Sequence, residues 1–183
     1  MTASDRAYRY VGPHHVIAAV QSADSGADSG ATIGTAVDFA AWVAARTAEE
    51  LDEPFTYVVR TDGALRLAPR RSEHAACAGG DRVLGAVEIS FRYEAGRWTV
   101  NEASNQSTGY CPDVASWPAV AQALDQAGLD HSDCFTHAVI FRRCPTCQEH
   151  NIVREGHFVC VFCDADLPRR WNIDSNSDDP DGL

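Results

Sequence analysis

Near its C-terminal end the chain carries two C-x-x-C pairs, Cys144/Cys147 and Cys160/Cys163, with twelve residues between them. Few patterns restrict a fold more. Each pair makes a tight knuckle that offers two thiolates to one ion, and two knuckles at this separation build a tetrahedral zinc shell with sulfurs about 2.3 Å from the metal. The spacing therefore predicts one Zn(2+) on Cys144, Cys147, Cys160 and Cys163. With four cysteine ligands the shell is closed, which marks a structural ion, since a catalytic zinc keeps one position open. Residues 151–159 read as a hairpin turning at Glu155-Gly156, which brings the second knuckle beside the first. So short a segment buries little apolar area, so the metal supplies much of its folding energy. A redox role fits poorly, because a redox C-x-x-C normally comes singly, opening a helix in a thioredoxin-like unit. His150 and His157 then read as surface residues.

On these four cysteines, residues 141–167 resemble the zinc ribbon family. The resemblance implies a β-hairpin module that serves as a docking or scaffolding element for protein or nucleic acid. Zinc ribbons often place Gly just after each knuckle, where φ tends to be positive; here Gln148 and Asp164 stand there. The preceding 140 residues carry no such resemblance.

The whole chain has 183 residues, of which 45% are hydrophobic, enough for one cored domain and a small appendage. No apolar run approaches the roughly 20 residues that span a bilayer, and residues 1–10 lack the apolar region of a secretory signal. The odd cysteine count, seven, argues against a secreted disulfide framework. The chain is therefore expected in the cytoplasm. Its net charge of −11 disfavours general nucleic-acid binding, because acidic surfaces repel phosphate. Arg142, Arg143, Arg154, Arg169 and Arg170 nevertheless cluster in or beside the cysteine segment, and an acidic tail begins at Asp174.

Residues 8–11 read as a short strand and 14–20 as a helix opened by Pro13. Residues 21–31 form a small-residue loop. Thr35 and Asp38 imitate a capping box ahead of one helix over 36–51, stopped before Pro54. Two hairpins follow, one turning at Asp62-Gly63 and one at residues 94–97. In the second, Ile89, Phe91 and Tyr93 alternate with Glu88, Ser90 and Arg92, predicting one buried and one wet face. A helix from Ser116 to about Ala127 stops at Gly128, and residues 135–141 read as a strand. The fold class is α+β, an antiparallel sheet built from hairpins with two or three helices, plus the zinc module. The domains are 1–140 for the α+β part, 141–172 for the ribbon and 173–183 for a disordered acidic tail.

The α+β part gives weaker signals. His74/Cys77 and His131/Cys134 are two H-x-x-C pairs that leave open a second metal site, although buried cysteines also serve as small hydrophobes. Residues 70–80 join the two hairpins and hold Arg70, Arg71, Glu73, His74 and Gly79-Gly80, a composition suited to an anion. Residues 101–111 are dense in hydrogen-bonding side chains. If both stretches share a sheet edge, Arg71, Glu73, His74, Asn105 and Gln106 form a polar site for a nucleotide-like molecule; otherwise they are loops that satisfy their own backbone. The chain has no P-loop, G-x-S-x-G or H-E-x-x-H, and nothing marks a cysteine as an activated nucleophile. The leading expectation is a non-catalytic zinc-binding adaptor with a protein partner. The alternatives are a small-molecule sensor or enzyme using the polar site, and a nucleic-acid-associated factor using the arginines around the ribbon.

Overall fold

The computed structural model describes residues 6–22, 30–70 and 72–173. Arg71, residues 23–29 of the small-residue loop and the acidic tail from Asp174 lie outside the described residues. The chain divides into two compact units, Met1–Ala138 and Val139–Leu183. The fold is α+β, with a five-stranded antiparallel sheet in the first unit and a two-stranded one in the second.

The first unit is organised by β4 (Val83–Glu94), a twelve-residue strand paired with β2 (Phe55–Arg60) on one side and β5 (Arg97–Ala103) on the other. With β3 (Leu65–Ala68) and β1 (Ala31–Ile33) the strand order is β1-β3-β2-β4-β5. Both expected hairpins form. The first closes through Gly63 at φ 84°, with the Asp62 carboxylate accepting from the Ala64 amide at 3.1 Å. The second turns on Ala95 and Gly96 at φ 50° and 81°, the left-handed pair that matches strand twist in a two-residue turn.

Residues 36–51 do not form the single helix expected. They form α2 (Ala36–Ala44) and α3 (Ala48–Leu51). The break has a local cause: Thr47 and Glu50 make a reciprocal capping box of their own, Thr47 being held extended at ψ 162°. The expected strand over 135–141 is also shorter. It begins at Ile140, and the amides of Thr136 and His137 instead bond the Ala103 carbonyl at 3.0 and 3.2 Å. At the other end, Tyr8 makes an isolated bridge to Val83 rather than a strand. The helix after Pro13 is α1 (His14–Ser22), and residues 70–80, read above as a loop, contain α4 (His74–Ala78).

Helices pack on both faces of the sheet, and the expected buried and wet faces of β4 hold over residues 88–92, with Ile89 and Phe91 buried and Glu88 and Arg92 exposed. Phe55, Tyr57, Val59, Leu65, Leu67, Ile89 and Phe91 pack with Phe39 and Val43 of α2 and with Val120, Ala123 and Leu124 of α5 (Trp117–Gln126) in one core. On the opposite face lies α4, with Ala75, Cys77 and Ala78 buried. The Arg66 guanidinium donates there to the Cys77 carbonyl at 3.1 Å. This double cover explains why β2 is buried at five consecutive positions. The alternation ends at the tip of β4, where Tyr93, expected on the buried face, is exposed.

α5 approaches β4 through a glycine. A Cβ on Gly85 would lie 2.5 Å from Cγ2 of Val120, a fully buried side chain. Gly85→Ala is therefore expected to push α5 off the sheet and cost about 1–3 kcal/mol, the usual range for overpacking. A urea midpoint unchanged from wild type would contradict this packing.

Candidate metal centre and the polar site of the first unit

The second unit is built around a ladder of two short strands, β6 (Ile140–Arg143) and β7 (His150–Val153), paired from Ile140↔Val153 to Arg143↔His150. β6 runs into the first knuckle. β7 leaves it, turns at Glu155-Gly156 with φ 51° and 73°, and the chain returns through Phe158 to the second knuckle. The turn is where the sequence places it.

The two knuckles have parallel construction. The Gln148 amide bonds the Cys144 carbonyl at 2.9 Å, and the Asp164 amide bonds the Cys160 carbonyl at 3.0 Å. Gln148 and Asp164 take φ of 66° and 58°, the left-handed conformation for which glycine is the unstrained choice. The side-chain amide of Gln148 also donates to the Pro145 carbonyl at 2.7 Å, tying the residue to its knuckle.

The four sulfurs converge, all within 4.8 Å of one another. Cys144 and Cys163 are 3.6 Å apart, and Cys147 and Cys160 3.5 Å. A tetrahedron with a metal–sulfur distance of about 2.3 Å has edges of about 3.8 Å, so the arrangement fits a thiolate-bound ion. It is far from the roughly 2.05 Å of a disulfide, and all four cysteines are free. Two of the four thiols are drawn toward thiolate and two away from it. Amides of Cys147 and Thr146 point at Cys144 and hold its thiol below the ordinary value. Burial opposes ionisation of Cys160, but the amides of Phe162 and Cys163 bring it down to about 6. The Glu149 and Ala165 amides lower Cys147 and Cys163, but burial and the neighbouring sulfurs outweigh them, pushing Cys147 up to about 12 and Cys163 above its ordinary value. Among the described residues this is the only group of three or more potential metal ligands.

Asn151, which the sequence reading passed over, ties this site together. It is 2% exposed. Its side-chain nitrogen donates to the Glu149 carbonyl at 2.9 Å and to the Cys160 sulfur at 3.5 Å, while its oxygen accepts from the Val161 amide at 3.0 Å. One side chain thus connects both knuckles, in the way that outer-shell groups orient metal ligands. Arg142 is structural too. Buried beside Phe158, it donates to the carbonyls of Phe141, Pro168 and Arg169. Asn172 pairs with Arg143 twice, accepting from its amide at 2.9 Å and donating to its carbonyl at 2.7 Å.

In the first unit the fold brings part of the predicted polar site together. His74 opens α4, and its Nδ1 lies 3.2 Å from the hydroxyl of Ser107, so the 70–80 and 101–111 stretches do meet. Glu73 is exposed beside it. Asn105 is fully buried and donates to the Pro112 carbonyl at 3.0 Å, closing its own loop. Gln106 is exposed. The Gly79 and Gly80 amides bond the Ala76 and Ala75 carbonyls at 2.9 and 2.8 Å, so this pair terminates α4 rather than forming an anion nest. Ser107 and Glu88 lie near His74 without having been singled out from the sequence. A β-strand carboxylate is legible as a neighbour only once α4 is known to cover that face. The second metal site does not assemble. Burial pushes the Cys77 thiol up to about 12, whereas Cys134 is exposed and His131 packs on Trp117 and Asp125.

No protein-family model, curated protein or solved structure matches the chain. The likeness to zinc ribbons rests on the four-cysteine geometry alone. Among the described residues no helix is long and apolar enough to cross a membrane.

Two consequences can be measured. Replacing Cys160 with Ser should abolish metal retention and unfold the second unit, because so small a module draws its folding energy from the ion; retention of metal and of native amide shifts in residues 139–173 would contradict the assignment. The second concerns His74. Burial lowers its pKa from 6.5, with Glu73 and Glu88 pulling the other way. The unfolded chain therefore takes up the proton first on acidification. The stabilising contribution of neutral His74 is present above about pH 6.5, and is lost as pH falls from there toward the lower folded-state value. Urea midpoints across that window should fall more for wild type than for His74→Gln; parallel curves would refute the burial argument.

Proposed function

We propose that the protein is a non-catalytic zinc-binding adaptor whose C-terminal module is a rigid docking element. The observation that carries this reading is the surface of the second knuckle. Val161 and Phe162, the two residues inside the Cys160/Cys163 pair, are 75% and 63% exposed. Adjacent large apolar side chains held in water by a stiff frame fit an interaction site. Zinc is the ion of choice for four converging thiolates without an open position, and in this reading its role is to hold the knuckle, not to activate water.

A second reading has its own support. The 3.2 Å contact between His74 and Ser107 joins the two polar stretches of the first unit. A sensor or enzyme would bind a nucleotide-like molecule there through Glu73, His74 and Gln106. The nucleic-acid reading has less in its favour, because Arg142 is committed to carbonyls within its own module.

Native mass spectrometry of the purified full chain separates these readings. The adaptor predicts one bound zinc and no retained small molecule. A co-purifying ligand of nucleotide size, lost in the His74→Ala variant, would move the function to the first unit.

A further inference from the structure

The two knuckles, residues 144–149 and 160–166, contain Glu149, Asp164 and Asp166 and no basic residue. All three carboxylate residues are exposed, as are Pro145, Val161 and Phe162. The basic residues of the module lie outside the two knuckles, and Arg169 and Arg170, both exposed, follow the second knuckle along the chain. Arg154 and His157 flank the turn at Glu155-Gly156, at the far end of β7 from the knuckles. Arg142 is buried, and Arg169 stacks over Phe158 at 4.2 Å. Arg143 and His150 stand where the ladder meets the first knuckle, but both are half-buried. The exposed side chains of the two knuckles are therefore apolar, neutral polar or acidic, with none basic.

We propose that this surface docks a protein segment that combines a large apolar side chain with Lys or Arg. The proposal rests on the docking reading above and adds the chemistry of the partner. The apolar side chain would cover Val161 and Phe162, and its cationic neighbours would sit over Asp164, Asp166 and Glu149. Contacts of this kind follow the pattern of a buried apolar anchor within a charged rim, in which the rim sets partner choice and approach rate more than affinity. The same three carboxylates repel a phosphate backbone, so a nucleic acid is the wrong partner for this end of the module.

The test is selection of a random peptide library displayed on phage against the full-length, zinc-loaded protein, followed by fluorescence anisotropy of the enriched peptides. Enriched peptides should share a large apolar residue flanked by Lys or Arg. Phe162→Ser should weaken them at least tenfold. The pair Asp164→Asn and Asp166→Asn should weaken them less and flatten the salt dependence. Both variants should keep one zinc, since the altered side chains are exposed. Enrichment of acidic peptides, or binding indifferent to Phe162→Ser, would overturn the proposed surface while leaving a docking role elsewhere on the chain. No enrichment at all, or preferential binding of an oligothymidylate probe, would overturn both the surface and the adaptor reading.

Discussion

The convergence of four sulfurs within 4.8 Å is the constraint on which the second unit depends. The apolar cluster around the sulfurs is small, with Val153 and Leu167 buried beside Cys144 and Cys160 and a few half-buried neighbours. Burial of so little surface cannot offset the entropy of ordering the chain, at about 1–2 kcal/mol per residue. An ion binding four thiolates can, and every other feature of the unit serves to bring those thiolates together. The β6–β7 ladder sets the spacing between the knuckles, the left-handed residues Gln148 and Asp164 close them, and Asn151 fastens one to the other.

The first unit is stabilised in a different way. Its long central strand is bonded on both sides and carries the apolar core on one face, so its order comes from apolar packing. The aromatic rings of Phe39, Trp42, Phe55 and Phe91 meet largely edge to face at centroid separations between 4.7 and 6.1 Å. The two units therefore answer to different perturbations, one to chelation and oxidation, the other to changes in core volume.

How much of this could be read from the residues depends on how local the cause is. The four converging cysteines, the turns at Gly63, Gly96 and Gly156, and the helix stop at Gly128 are written within a few residues, and all were legible. The break between α2 and α3 was equally local, since Thr47-Ala-Glu-Glu50 is a capping box, but the apolar periodicity running through it masked the signal. What failed to show were contacts between distant segments. Nothing near Glu88 announces that α4 will cover its face of the sheet, and nothing near Asn151 announces a sulfur nine residues further on. The α4 helix itself was missed because His74-Ala-Ala-Cys-Ala78 is too short for a periodic pattern. Its tertiary position stabilises it, as is usual for helices of one or two turns. The exposed knuckle could have been anticipated: Val161 and Phe162 fill the interior of a C-x-x-C pair, and knuckle tips face solvent.

The pairing of Asn172 with Arg143 has a consequence for what the module can recognise. A side-chain amide that takes both the N–H and the C=O of one residue imitates the neighbouring strand of a sheet. It fills the side of β6 facing away from β7 at the point nearest the first knuckle, where an incoming extended chain would otherwise find a free donor and acceptor. At that residue the edge is closed to extension by a foreign strand, one of the ways in which a β-unit captures a peptide. Recognition there is left to side chains, which discriminate between sequences in a way that a bare backbone ladder does not.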